Sequence, residues 1–179
     1  NSFNGTPVDF AEYDIGDKAY DMNVLAARLA KRVAADYSTK AQPRWVAGSM
    51  GPGRKLPTLG HITFPDLKAA YHEQVRGLID GGVDLLIVET CQDLLQTKAA
   101  LSAIFEHFES VRVRVPVIAQ VTIELFGTML NGTEIGAALT ALAPFPIDLI
   151  GMNCGTGPRH MTESIRYLCE NAPLPVSVL

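Results

Sequence analysis

The chain has 179 residues, 47% of them hydrophobic and 19% charged, with a formal net charge of −4. That length holds one substantial core and is short for two domains, and the composition excludes a disordered or low-complexity chain. The acid excess and scattered basic residues exclude a nucleic-acid-binding stripe, no apolar run reaches the ~18 residues of a membrane span, and no signal peptide opens the chain.

Asn1-Ser2-Phe3-Asn4-Gly5-Thr6 reads as the tail of a strand and the loop beyond it. A helical pattern runs from about Lys18 to Tyr37, with Met22, Leu25, Ala26, Leu29 and Val33 on one face. Trp45 to Ser49 is a short apolar strand ending in Gly51-Pro52-Gly53, and a long loop follows from Arg54 to Ile62. Thr63-Phe64-Pro65-Asp66 starts a helix, with Thr63 as N-cap and Asp66 three residues on as in a capping box; Gly81-Gly82 ends it.

Val83 to Thr90 is apolar almost throughout and closes on an acid, Glu89. Continuous rather than alternating apolar residues predict burial on both faces, as in a parallel sheet. A helix from about Leu94 to Phe108, a strand from Val115 to Thr122, and a loop through Gly127 and Gly132 come next. A helix capped by Thr133 runs from that loop to about Leu142. Ile147 to Met152 is a further strand, ending on Asn153-Cys154 and breaking into Gly155-Thr156-Gly157-Pro158 before a helix to about Asn171. The chain stops at Leu179 inside the apolar run from Pro175, and it opens on Asn1 without methionine, so it is expected to belong to a longer protein.

Alternating strands and helices with short helix-to-strand connections predict an α/β fold with a parallel sheet. No Gly-x-Gly-x-x-Gly turn follows the first strand, which disfavours a dinucleotide-binding fold. Five strands and the tail of a sixth fit a TIM-type (β/α)8 barrel truncated at both ends, in one domain over residues 1–179.

In such a barrel the C-terminal strand tips carry the chemistry. Here those tips hold Asn4, Ser49, Glu89 with Thr90, Thr122, and Asn153 with Cys154. Cys154 is either a reactive thiol at the mouth or an ordinary buried one. Glu89 is either a structural acid satisfied by loop amides or the partner of a cationic group such as an amine. Cys91 reads as packing between strand and helix, and Cys169 as helix core. Three cysteines at wide spacing make no disulfide framework and point to a reducing, cytoplasmic setting. His61, His72, His107 and His160 show no metal-ligand spacing, and a zinc site takes three or four protein ligands.

Asn1-Ser2-Phe3-Asn4, Val88-Glu89-Thr90, Gly127-Thr128-Met129-Leu130 and Gly151-Met152-Asn153-Cys154 with Gly157-Pro158 resemble the homocysteine S-methyltransferase family. Within it they are most similar to the homocysteine-binding barrel of the cobalamin-dependent members. The resemblance implies a zinc-thiolate methyltransferase in which Cys154 is the catalytic residue and one of three cysteine ligands to zinc. The other two are an adjacent pair that lies beyond Leu179. It implies that Glu89 holds the amino group of homocysteine, with Thr90, Asn4 and Asn153 lining the pocket. Zinc coordination would strip the proton from a thiol whose ordinary pKa is ~8.5. The implied methyl donor is methylcobalamin on another domain, recharged through a folate domain of the same parent chain. Two other readings stand: a stand-alone enzyme using a sulfonium or betaine donor, and a non-catalytic barrel binding a pterin or phosphate. The isolated 179 residues are expected to be inactive.

Overall fold

In the computed structural model, which describes residues 2–179, five strands lie side by side in chain order: β1 (Ala47–Met50), β2 (Leu85–Cys91), β3 (Val117–Val121), β4 (Leu149–Met152) and β5 (Val176–Val178). Every neighbouring pair is parallel. A doubly wound sheet reverses its strand order at a switch point. This one never does, and strictly sequential parallel order is that of a barrel arc.

The helices are α1 (Pro7–Phe10), α2 (Ala19–Tyr37), α3 (Phe64–Gly81), α4 (Leu94–Val111), α5 (Ile135–Leu142) and α6 (Pro158–Asn171). The main core lies between them and the sheet. Leu86, Val88, Cys91, Val117, Ala119, Val121, Ile150 and Met152 face outward from the strands onto Leu78, Leu101, Ile104, Leu142 and Leu168. The alternate strand positions Ser49, Glu89, Gln120, Gly151 and Ser177 face the inside of the arc, following the period of two along a strand. A backbone register shift in β2 between Val88 and Cys91 keeps Cys91 in the helix-side core, in agreement with its reading as packing.

Local signals mostly hold. Thr63 Oγ1 accepts from Asp66 N–H and donates to the Asp66 carboxylate at 2.6 Å, and Gly82 ends α3 with φ of 88°. Asp93, fully buried, caps α4 by accepting from Leu95 N–H at 2.8 Å. It also accepts from the Thr58 N–H and hydroxyl, at 3.0 and 2.7 Å. Gln96 donates to the carbonyls of Pro52 and Lys55. The long loop after β1 is therefore tied down by the first turn of α4.

Four expectations need correction. Ser2–Asn4 form a turn and no strand; the Phe3 carbonyl accepts from Gly51 N–H and Ser2 Oγ donates to the Ser49 carbonyl at 2.8 Å, while Asn1 lies outside the described residues. Helix α5 begins one residue later than expected, with Glu134 as N-cap, because the Thr133 hydroxyl is turned onto Asn131 Oδ1 at 3.1 Å. Cys169 is exposed, on the outer side of α6. The apolar stripe of α2 also faces outward, with Leu25 63% and Leu29 54% exposed. The buried face of α2 is Ala19, Asn23, Val24 and Ala27. The cause sits on α3: a Cβ at Gly81 would lie 2.4 Å from that of Ala27, and one at Gly77 would lie 2.7 Å from the Tyr20 carbonyl oxygen. Close backbone approach at two glycines seats the small residues of α2 and turns its larger ones away.

Between α3 and α4, the rings of His72 and His107 meet edge to face at 5.2 Å. His107 is 3% exposed and its Nε2 has no hydrogen-bond partner among the described residues. Burial, and then the neighbouring His72, depress its pKa below the ordinary 6.5; Arg76 acts the same way and Asp80 opposes. The unfolded chain therefore takes up the proton first. The stability contributed by neutral His107 is complete above about pH 6.5 and is lost as pH falls through the depressed value. Denaturant midpoints measured from about pH 7.5 down to about pH 5 should fall for the parent protein and fall less steeply for His107→Gln.

Candidate functional site

The inward side chains at the C-terminal ends of β1 to β4 form one connected cluster. Glu89 stands at the tip of β2. Its carboxylate accepts from Ser49 Oγ at 2.6 Å on one oxygen and from Asn153 Nδ2 at 3.3 Å on the other. Ser49 is in turn held through its carbonyl by Ser2 Oγ and by Gln74 Nε2, so the N-terminal turn braces the Glu89 side of the site.

At the end of β2 the ladder slips. Val88 pairs with Ala119 and Cys91 with Val121, so Glu89 and Thr90 together oppose Gln120. Such a bulge re-aims a side chain. Thr90 takes φ of 59°, in the left-handed region, which for a β-branched residue costs about 1–3 kcal/mol. The offset comes from Asn153: its Oδ1 accepts from Thr90 N–H at 2.7 Å, and its Nδ2 donates to Thr90 Oγ1 at 2.8 Å. Two good hydrogen bonds contribute about 1–3 kcal/mol between them, enough to match the strain.

Asn153 extends the β4 ladder, its N–H donating to the Val121 carbonyl at 3.2 Å and its carbonyl accepting from Thr122 Oγ1 at 3.0 Å. The next residue, Cys154, has φ of 59° and is exposed. Its sulfur lies 3.3 Å from Asn153 Nδ2 and 3.8 Å from Thr90 Oγ1. A carboxylate oxygen of Glu89 and the sulfur of Cys154 thus both lie 3.3 Å from one nitrogen. That places them on the same face, within reach of one small amino acid. On its other side Cys154 borders an open apolar cleft of about 700 Å³, lined by Pro158, Met161, Ile165 and Val178.

Of the residues singled out from sequence, Glu89, Thr90, Asn153 and Cys154 come together. Asn4 is exposed on the turn beside Gly51, at the same rim, and among the described residues no hydrogen bond joins it to the cluster. Ser49 and Thr122, noted in sequence only as strand tips, are hydrogen-bonded into it. Gln120 had not been singled out. It is fully buried on the inner face, donating to Ser177 Oγ at 2.9 Å, and the signal for it was a lone amide inside an apolar strand.

A metal centre needs more donors than are gathered here. Among the described residues no three His, Cys, Asp or Glu side chains converge, and Cys154 is the one thiol at the mouth. Zinc takes three or four protein ligands, so these residues do not by themselves fit it. Among the described residues no helix is long and apolar enough to cross a membrane.

A family model described as homocysteine S-methyltransferase matches residues 1–179. The methionine synthases of Mycobacterium tuberculosis and Mycobacterium leprae are each 46% identical to the chain over 179 residues, all of this chain and 15% of theirs. The chain therefore spans about a seventh of the length of these curated relatives. Among solved structures, the metallated form of the homocysteine methyltransferase MmuM from Escherichia coli superposes with a TM-score of 0.81 at 21% identity. The match covers 99% of this chain and 64% of that one. The apo form gives 0.71 over 90% and 59%. These likenesses establish the barrel fold.

The three thiols differ in access. Burial pushes the Cys91 thiol up to about 12, whereas Cys154 and Cys169 are exposed. Iodoacetamide at about pH 8, read by peptide mass spectrometry on the folded, metal-free protein, should label Cys154 and Cys169 and leave Cys91 unmodified until denaturant is added.

Proposed function

The chain belongs to the homocysteine S-methyltransferase family, and from that premise we propose that it is the homocysteine-binding part of a cobalamin-dependent methionine synthase. The reading is carried by one observation. A carboxylate suited to an ammonium group and an accessible cysteine sulfur stand 3.3 Å from the same amide nitrogen, at a barrel mouth. The 46% identity to methionine synthases supports this choice within the family.

In this reading the homocysteine ammonium pairs with Glu89, already oriented by Ser49 Oγ at 2.6 Å. Thr90, Asn153 and Asn4 line the pocket, and the substrate sulfur lies toward Cys154. The thiol of homocysteine loses its proton to solvent at the open mouth, and its sulfur takes the methyl group. The electron pair of the broken methyl bond leaves with the donor, giving methionine. The donor approaches through the open side of the mouth, so this chain's contribution is to bind and orient the thiol.

These residues would offer zinc a single ligand, Cys154, with the other ligands supplied from outside them. Methylcobalamin is proposed as the donor, carried on another domain of the parent chain beside a folate domain, in the cytoplasm. A single thiol offers no complete metal site, and the 179 residues alone are proposed to be inactive.

The test is homocysteine binding by calorimetry in the intact protein. Glu89→Gln keeps the shape and removes the charge, and should weaken the Kd by about 10- to 100-fold with little change in thermal midpoint. An unchanged Kd would remove Glu89 from the site and the reading with it. Cys154→Ala should lower the metal content of the intact protein; a barrel that serves only to bind a pterin or phosphate would show no such loss.

A further inference from the structure

Asn153 lines the pocket in the functional reading above, yet its geometry suits a different task. It is 2% exposed, and its amide is committed inside the protein. The two shortest contacts, at 2.7 and 2.8 Å, both go to Thr90, one to the backbone N–H and one to the hydroxyl. Nδ2 carries two hydrogens and faces three acceptors. One hydrogen is taken by Thr90, and the other is shared at 3.3 Å between Glu89 Oε2 and Cys154 Sγ. The strong contacts hold the bulge, and the weak ones look toward the reacting groups.

We propose that Asn153 is a positioning residue: by clamping Thr90 in its left-handed conformation it fixes the bulge that aims the Glu89 carboxylate at an α-ammonium group and keeps Cys154 beside it. Asn153 then acts on the ligand through Thr90 and Glu89, and does not itself have to touch it. The inference rests on the reading of Glu89 as the ammonium partner, but its central element, the clamp on Thr90, is testable without any ligand.

The bulge explains why a clamp is needed. Without the extra residue, Cys91 would turn onto the inner face of the arc, against its burial among the helices. With it, Thr90 must take φ of 59°, which a branched side chain resists. The strand ladders leave Thr90 without a register partner, because β1 pairs with β2 only as far as Val88 and β3 skips from Val88 to Cys91. The clamp reaches from beyond β3, from the tip of β4.

A double-mutant cycle tests this. Glycine adopts positive φ without a Cβ penalty, so Thr90→Gly removes the need for the clamp. In the intact protein Asn153→Ala should weaken the homocysteine Kd by about 10- to 100-fold, and Thr90→Gly, which removes a pocket-lining side chain, should weaken it by a smaller factor. The double variant should bind at least about threefold more tightly than the product of the two single losses predicts. The same cycle read in thermal midpoints needs no ligand: Asn153→Ala should lower the midpoint more in the parent background than in the Thr90→Gly background. Additive effects in both readouts, or a parent-like Kd for Asn153→Ala, would overturn the clamp. Failure of the parent protein to bind homocysteine would instead overturn the functional reading, and the thermal cycle would still decide the clamp.

Discussion

Two hydrogen bonds between Asn153 and Thr90, at 2.7 and 2.8 Å, join the tips of β2 and β4, which do not pair with each other and have β3 between them. One side chain spans that gap because the sheet curls, bringing alternate strands together on its inner side. The same amide nitrogen contacts Glu89 and Cys154, so the curvature of the arc is converted directly into the spacing of that carboxylate and that sulfur. The tip of β3 contributes through Thr122, whose hydroxyl donates to the Asn153 carbonyl while its N–H donates to that of Cys91. Strand β1 contributes through Ser49, which holds the far oxygen of Glu89. The site is a chain of contacts across the strand ends.

Much of the fold was legible because its signals are local or periodic. The apolar run from Leu85 to Val88 marks a strand buried on both faces, the Thr63 and Asp66 pair starts α3, and Gly82 ends it where a positive φ is required. The sidedness of α2 was not legible. Periodicity shows where large apolar residues fall on a helix and says nothing of how closely a neighbour approaches. Gly77 and Gly81 on α3 admit the backbone of α2, and the small face of α2 is the one that fits. Cys169 fails as core for a related reason: α6 buries Met161 and Leu168, and position 169 lies off that stripe.

The site divides the same way. Glu89 and Cys154 stand out in sequence because each breaks an apolar run where a strand ends. Their common reach to Asn153 depends on a bulge, and an inserted residue leaves no trace in a run that is apolar on both sides. Gln120 was there to be found as a lone amide in a strand, but its partner Ser177 lies two strands away, beyond β4. Its neighbour in the ladder is Gly151, where a Cβ would stand 1.7 Å from the Ser177 carbonyl oxygen. A glycine in a strand signals close approach, but only the pairing shows to what.

The distribution of order across the arc bears on what the site needs from its surroundings. The tight contacts converge on β2, β3 and β4, whose hydrogen-bonding edges are all occupied within the sheet. Among the described residues the outermost strands are β1 and β5, at the two ends of the arc, and the exposed stripe of α2 lies on the β1 side. In a closed (β/α)8 barrel, further strands and helices would occupy that ground, and unpaired strand edges are otherwise a route to association. The requirements therefore separate. Positioning Glu89 against Cys154 draws on the middle of the arc and on the brace from Ser49, whereas covering apolar surface draws on the ends. Disturbance at the ends should be felt first as poor solubility, while the spacing of carboxylate and sulfur, set by contacts across three adjacent strands, is the last feature to go.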